Sequence, residues 1–386
     1  MRHGLAVVLL VVAVAGAVVR PWRLPAWAAP AAAAGVALAA GNVSLRDARL
    51  TLRPLDGALV FVALAVPLAV MLDEVGIFEE LAGRAARSPK VVGACWVLAA
   101  AVVALLNLDA AVVLLTPLYV RTARRVGLDP VMLAFQPVLL AMLASGFLPV
   151  SNLTNLIAAS RLSLMSSDFI ANLALPSVLA STAGWFAYRR VFPARAVIRD
   201  RSGVTDRRAL MVGGSAIALF LVLLVVGDHI GIHAWVAALA TIGFLVLFTR
   251  HVPWRRVPVG TVVLAAALAI LAEGVAAAFP HLLASAGDGG VRGFATGVVS
   301  ADVLNNLPAT LVTLPHISHI ARVWPLLFGL NAGPSLLITG SLAGLLWQAS
   351  ARASGVHVSA GQYSRVGAMV GVPAMAAGVA VLLVLR

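Results

Sequence analysis

Two short polar stretches interrupt long apolar runs of this sequence, roughly 200 residues apart. The first is Asn107-Leu108-Asp109, and the second is Asn305-Asn306-Leu307-Pro308. Hydrocarbon cannot satisfy the four hydrogen-bonding positions of an Asn side chain. A charge at mid-bilayer costs roughly 2.5–3.5 kcal/mol or more, so an acid placed there has a function by default. The two stretches therefore predict a polar binding site inside a membrane.

Hydroxyl and amide side chains also occur where two further apolar runs are broken. Together with the two stretches they form the predicted solute-binding set: Asn107, Ser151, Asn152, Thr154, Asn155, Asn305, Asn306, Thr339 and Ser341. The N-termini of half-helices add unpaired N–H groups and about half a positive charge each. Such a set suits a small hydroxylated or oxyanionic solute. The alternative is that these side chains only join helices by interhelical hydrogen bonds.

Three acidic residues lie within apolar runs, namely Asp109, Asp302 and Glu273. Asp109 and Asp302 each lie within four residues of an Asn in a polar stretch. We therefore predict that these two carry protons, with Glu273 as a further candidate. The alternative is a structural ion pair with a base such as Arg161.

Proline and glycine residues mark the points where helices are expected to break. The predicted breaks lie at Pro117, Pro308, Gly333, Pro334 and Gly340. Pro lacks a backbone N–H and disfavours helical geometry at the residue before it. Broken helices at matching positions in two halves of a chain indicate the binding site of a transporter.

The composition is that of a polytopic α-helical membrane protein. Of the 386 residues, 61% are hydrophobic and 11% are charged, whereas soluble proteins carry about 25% charged residues. The formal charge of +13 comes from Arg between apolar runs, as the positive-inside rule describes, so no nucleic acid is predicted as a partner. Cys95 is the only cysteine. No cofactor or metal is predicted, since two isolated histidines, His316 and His319, favour an external loop.

The order of apolar runs predicts two halves of inverted topology, residues 1–188 and 209–386, joined by a cytoplasmic linker at 189–208. Each half has five full crossings and one re-entrant hairpin, and an odd number of crossings inverts the second half. The hairpins are predicted at 91–120 and 293–315, and interrupted spans at 131–165 and 324–347. Uninterrupted spans are predicted at 4–19, 26–40, 57–72, 171–188, 209–226, 234–248, 259–279 and 366–385. Segment 75–90 is typical of an interfacial amphipathic helix.

One part of this topology disagrees with the charge rule. The scheme places Arg46, Arg49 and Arg53 on the external side, where basic residues are disfavoured. At the N-terminus, Arg2 and His3 precede an apolar run, as in a signal peptide. A second apolar run follows at once, which favours a retained first span.

Five motifs, in order along nearly the whole chain, carry a family resemblance. They are Leu72-Asp73-Glu74-Val75-Gly76-Ile77-Phe78, Asn107-Leu108-Asp109 with Leu114-Leu115-Thr116-Pro117, Ser151-Asn152-Leu153-Thr154-Asn155, Asn305-Asn306-Leu307-Pro308, and Gly333-Pro334 with the run from Thr339 to Trp347. With these motifs the sequence resembles the arsenite efflux permeases of the ArsB type, within the ion transporter superfamily. The resemblance implies elevator-type movement of a transport domain against a scaffold, and proton-coupled export of arsenite and antimonite across the cell membrane. It also implies a homodimer and, in some members, a soluble ATPase partner.

Two other classes of function remain open at this stage. The first is a sodium- or proton-coupled permease for citrate or dicarboxylates, or a Na⁺/H⁺ antiporter, on the same fold. A carboxylate carrier calls for uncompensated Arg or Lys, or several helix N-termini, at the site, and no Arg or Lys occurs at a polar stretch. The second is an intramembrane enzyme, which we do not expect, because the histidines lie outside the predicted membrane core and no Ser-His-Asp triad assembles.

Overall fold

The computed structural model describes residues 2–20, 24–193, 206–278 and 284–384, and these residues form helices and short connections without any strand. Most of the predicted linker, residues 194–205, lies outside the described residues. The described helices before the linker are α1 (Arg2–Val19), α2 (Ala28–Ala39), α3 (Leu45–Leu52), α4 (Asp56–Glu74), α5 (Ile77–Arg87), α6 (Val91–Leu105), α7 (Leu108–Arg125), α8 (Pro130–Leu143), α9 (Leu153–Leu162), α10 (Ser166–Phe169) and α11 (Leu175–Val191).

The helices after the linker follow a similar order. They are α12 (Arg207–Asp228), α13 (Ala234–Thr249), α14 (Val259–Ala278), α15 (Gly290–Leu304), α16 (Asn306–Thr313), α17 (Val323–Ala332), α18 (Leu342–Ala353) and α19 (Ala360–Val384). Within the described ranges, five helical elements are long and apolar enough to cross a membrane, and several shorter apolar helices accompany them. The prediction of an all-α polytopic membrane protein is confirmed.

The predicted spans match these helices to within a few residues, but the polar segment 42–55 has more structure than its composition suggests. It forms α3, capped by the Ser44 side chain, and a short 3₁₀ turn that continues into α4. The interfacial segment 75–90 forms α5, whose location in a membrane interface stays a prediction.

The first hairpin consists of α6 and α7, which fold back on each other. The Tyr119 hydroxyl donates a hydrogen bond to the carbonyl of Cys95. Cys95 lies twelve residues before Asn107, and Tyr119 lies twelve residues after it. Residues equally far from Asn107 are therefore side by side, so α6 and α7 are antiparallel limbs with Asn107 at their tip.

The second hairpin, α15 and α16, is tied together at its open end. The 3₁₀ turn at Ala284–Asp288, just before α15, packs against the turn at Leu314–His316, just after α16. The Arg322 guanidinium also donates to the Gly287 carbonyl at 2.9 Å. Because the two outer ends meet, the tip of this hairpin lies at Asn305, inside the structure.

Two interrupted elements cross between the hairpins. A 3₁₀ turn at Pro149–Ser151 separates α8 from α9, and turns at Gly333–Ser335 and Ile338–Gly340 separate α17 from α18. The Trp347 indole N–H donates to the Ala134 carbonyl at 2.6 Å, which joins α18 to α8. The two interrupted elements are thus packed together.

Two predicted breaks are wrong, because Pro117 and Pro308 lie within helices. Pro117 is inside α7, and the Val113 carbonyl that loses its N–H partner there receives the Ser350 hydroxyl at 3.4 Å. Pro308 is in the first turn of α16, where the N–H it lacks has no intrahelical acceptor. Gly333, Pro334 and Gly340 do lie at breaks.

The hairpins and interrupted elements pack beside two other groups of helices. One group is α1, α2 and α14, and the other is α4, α12 and α13. The α14 helix contacts α16, and α4 contacts α9, which brings both groups against the interrupted region. This packing leaves the hairpin tips facing α1 and α14.

Candidate functional site

Four helices begin at the breaks, and one polar side chain caps each of them. Such a cap accepts one of the N–H groups that lack a partner at a helix N-terminus. In every case the side-chain oxygen accepts from the N–H two residues later: Asn107 from Asp109 at 2.9 Å, Asn152 from Thr154 at 3.1 Å, Asn305 from Leu307 at 3.3 Å, and Ser341 from Ala343 at 3.2 Å.

Each hairpin tip is also bound to the neighbouring break by the same kind of hydrogen bond. The Asn107 amide donates to the Val150 carbonyl at 3.3 Å, and the Asn305 amide donates to the Thr339 carbonyl at 2.9 Å. Val150 and Thr339 both lie two residues before the capping residue of the interrupted element. In each tip Asn the side-chain oxygen caps the following helix and the side-chain nitrogen binds the neighbouring break, so Asn107 and Asn305 have the same two roles.

Asn305 lies in the left-handed region, with φ of 75°. With ψ of 145°, this backbone conformation lies outside the αL well and is uncommon for any residue other than Gly. This strained residue makes the sharp turn between α15 and α16, so Asn305, and not Pro308, ends the first limb.

A buried amide in α17 joins the two interrupted elements to each other. The Asn331 side-chain oxygen accepts from the Asn152 amide at 2.8 Å and from the Thr154 hydroxyl at 3.0 Å. Its own amide nitrogen donates to Asn155 at 2.9 Å. Asn331 was not among the predicted binding residues, since one Asn in an apolar run carries no signal of its partners. It is the polar centre of the contact between α9 and α17.

The capped N-termini surround a small cavity of about 50 Å³. By the same measure a single water needs roughly 10–15 Å³, so the cavity holds a few waters or one small solute. Its opposite wall consists of apolar residues of α1 and α14 together with Thr261. Among the described residues, no Arg, Lys or His lines it. Its polar lining is Asp109, Asn152, Thr154, Asn305, Asn306 and Ser341.

Three of these side chains have hydrogen-bonding capacity left for a solute. The Asn306 amide is buried, and no group in the described part of the chain bonds to it. The Asp109 carboxylate is half-buried and has no hydrogen-bond or ion-pair partner among the described residues. The Ser341 hydroxyl accepts from Ala343 and still has its own proton to donate. A carboxylate and an amide, from different hairpins, therefore face one cavity.

The other predicted binding residues lie behind the cavity and hold helices together. The Ser151 hydroxyl donates to the Ala104 carbonyl at 2.6 Å, and the Asn155 amide donates to the Ser145 carbonyl at 2.7 Å. Neither they nor Asn107 and Thr339 line the cavity. The alternative, in which polar side chains only join helices, thus describes the contacts of these four residues. Five other predicted binding residues and the predicted proton carrier Asp109 do line the cavity together.

The two other acidic candidates lie away from the cavity. Asp302 is on the far side of the second tip, against Gly340, and its buried Oδ1 has no partner within the described ranges. Glu273 accepts the Thr51 hydroxyl at 2.9 Å and lines a separate cavity of about 590 Å³ with Arg161. Only Asp109 of the three predicted proton carriers faces the solute cavity.

Outside the cavity, α5 joins the start of α12 through a buried carboxylate. The Asp206 backbone N–H donates to Glu80 at 3.1 Å, and Arg84 donates to it at 3.0 Å. These two bonds hold the pKa of Glu80 below its ordinary value.

For the histidines, no group of three or more His, Cys, Asp or Glu in the described residues is placed to hold a metal ion.

Comparison with known proteins gives consistent matches over nearly the whole chain. The family model described as citrate transporter (CitMHS) matches residues 2–344. The arsenical pump membrane protein of Yersinia enterocolitica is 26% identical over 398 residues, covering 90% of this chain and 91% of the relative. The arsenical pump membrane protein of Escherichia coli (strain K12) is 26% identical over 366 residues, covering 82% and 83%. These matches confirm the resemblance drawn from the motifs.

Proposed function

We propose that this chain, which belongs to the citrate transporter (CitMHS) family, exports arsenite and antimonite in exchange for protons. The family is one of transporters and not of enzymes, and the chain is a multi-pass protein of the cell membrane. The proposed substrate class comes from the relatives, which are named arsenical pump membrane proteins.

The observation that carries the proposal is the cavity at the four capped N-termini. At neutral pH, arsenite is an uncharged trihydroxide, which needs hydrogen-bond donors and acceptors but no opposite charge. Asn306 and Ser341 offer these groups, and the lone buried Cys95 excludes a site of three thiolates. A volume of about 50 Å³ suits a solute of this size.

The same cavity argues against citrate, although the family model bears that name. Citrate carries several carboxylates, which in a water-poor site require Arg, Lys or other compensating groups. Among the described residues, the cavity has no Arg, Lys or His to balance these charges, and beside the helix N-termini it presents the carboxylate of Asp109. We therefore propose a neutral hydroxide as the solute.

We propose Asp109 as the site of proton coupling. An uncharged solute does not respond to the membrane potential, so uphill export needs a driving ion. A carboxylate must be neutralised before it crosses hydrocarbon, because moving its charge is costly. Since Asp109 lines the cavity, a change in its protonation can be coupled to binding and release of the solute, as exchange requires.

Alternating access by an elevator movement completes the proposal. Two inverted halves are supported by the matching capping and linking bonds of Asn107 and Asn305. The hairpins and interrupted elements would move together, because Asn107 and Asn305 each bind a hairpin to an interrupted element. Trp347 and Asn331 join the two interrupted elements to each other. The apolar wall of α1 and α14 would stay fixed. A homodimer and a soluble ATPase partner stay predictions from the resemblance.

Everted membrane vesicles that contain the chain test this function directly. With an acidic interior imposed, we expect accumulation of arsenite and antimonite, collapse of that accumulation by a protonophore, and no uptake of citrate. Vesicles without the chain are the control. Citrate uptake, or arsenite accumulation driven by a Na⁺ gradient alone, would contradict the proposal.

A further inference from the structure

A long apolar groove runs along the outside of the protein between α6 and α11. We call it the α6–α11 groove; its volume is about 1020 Å³. Trp96 and Trp185 form its floor, with ring centroids 5.7 Å apart. Val97 and Val178 rise beside them and are 67% and 44% exposed, so protein does not cover this surface. A continuous concave surface of this kind fits an extended hydrocarbon chain.

One end of the α6–α11 groove is basic, and two of its cations have no acidic partner among the described residues. Lys90 precedes α6 and lines the groove, while Arg189 in the last turn of α11 stacks 5.6 Å from the Trp185 ring centre. Both are exposed, and neither has an acidic partner among the described residues. Arg84, which also lines this end, is already paired with Glu80. The free positive charge at this end therefore comes from Lys90 and Arg189.

The length of the groove equals one leaflet of a bilayer. Lys90 and Ala101 lie at its two ends along α6, eleven residues apart. At 1.5 Å per residue this distance is about 16 Å, and half of a hydrocarbon core of ~30 Å is about 15 Å. The basic end would then lie at the headgroup level, where the positive-inside rule places clustered Lys and Arg on the cytoplasmic side.

We propose that the α6–α11 groove binds one anionic phospholipid of the cytoplasmic leaflet. Its acyl chain lies over Trp96 and Trp185, and its phosphate lies between Lys90 and Arg189. Basic pockets between spanning helices on this side are typical sites for such headgroups. The α6 helix is the outer limb of the first hairpin, so the lipid touches the element that carries Asn107. This proposal is independent of the transported solute.

Lipid retention by the full chain in mild detergent, measured by native mass spectrometry, tests the headgroup contact. Phosphatidylglycerol and phosphatidylcholine with identical acyl chains compete in the same sample. We expect the wild type to prefer phosphatidylglycerol. Each basic residue near an anionic headgroup contributes roughly fivefold, so Lys90→Gln with Arg189→Gln should weaken that binding about 25-fold. The matched control, Arg255→Gln with Arg256→Gln, changes two exposed arginines outside the groove and should leave the preference intact.

A second measurement tests the acyl-chain contact and does not depend on the charge variants folding well. Phosphatidylglycerol with brominated acyl chains should quench tryptophan fluorescence, and Trp185→Phe should remove part of that quenching. Val97→Trp, which fills the exposed wall of the groove, should reduce retention of both lipids. Equal retention of the two lipids by the wild type, or unchanged retention in the charge variant, would overturn the proposal. So would disulfide-linked dimers of Val97→Cys in a Cys95→Ala background, since a second copy would then occupy the groove.

Discussion

The two hairpin tips share a backbone arrangement and differ in the chemistry they present. Asn107 and Asn305 each cap the helix that follows and each bind the neighbouring break. Beyond the cap, the first tip turns the Asp109 carboxylate into the cavity, whereas the second turns in the neutral Asn306 amide. We propose that the repeated part positions the site and that the part that differs sets what each half contributes to transport.

The largest expected effect comes from the amide that holds the two interrupted elements together. Asn331→Leu would leave three buried polar groups without their partner, namely those of Asn152, Thr154 and Asn155. Each buried group left unpaired costs about 1–3 kcal/mol, so we expect a strong loss of stability. Labelling of the buried thiol of Cys95 during heating reports unfolding.

The matched control for this variant is Asn172→Leu, which removes one hydrogen bond within a single helix turn. We expect that change to lower the melting temperature slightly. If Asn331→Leu unfolds no earlier than Asn172→Leu, the two halves are not joined through Asn331.

The next effect separates solute binding from stability. Asn306→Ala should lower the efficiency of arsenite transport about tenfold or more, since one or two hydrogen bonds to the solute are lost. Its melting temperature should stay unchanged, because no group in the described residues bonds to its amide. Asn155→Ala is the opposite case. The Asn155 side chain bonds to Ser145 and Asn331, so this variant should lose stability. A melting loss as large for Asn306→Ala as for Asn155→Ala would argue for a purely structural role.

The smallest expected effect concerns the joint between the halves at Glu80. The folded pKa of Glu80 is lowered, first by the Asp206 N–H and then by Arg84. A lowered carboxyl pKa gives stability that is present above the ordinary Glu pKa of about 4.3 and lost as pH falls through the folded value. Glu80→Gln should therefore melt at a lower temperature than the wild type at pH 7 and lose part of the decline in stability as pH falls below about 4.3. An unchanged acid profile would show that the joint contributes nothing.

The sequence predicted the spans and both hairpins, because apolar run length and polar interruptions are direct signals of them. It did not predict which break residues face the cavity. Asn155 and Asn306 look alike as buried amides, and only the rotation of each helix decides that one holds helices together and the other lines the cavity. Pro117 does not break its helix, and the Ser350 hydroxyl, distant in sequence, donates to the Val113 carbonyl that Pro117 leaves without an N–H partner. Such partners depend on packing that no local pattern contains.

Uptake of arsenite by everted vesicles under an imposed pH gradient, compared between Asp109→Asn and Asp302→Asn, tests the central claim most directly. Asp109 lines the cavity and Asp302 lies behind the second tip. We predict that Asp109→Asn still binds arsenite but no longer accumulates it in response to the pH gradient, while Asp302→Asn retains most of that response. Accumulation by Asp109→Asn equal to that of the wild type would contradict the account.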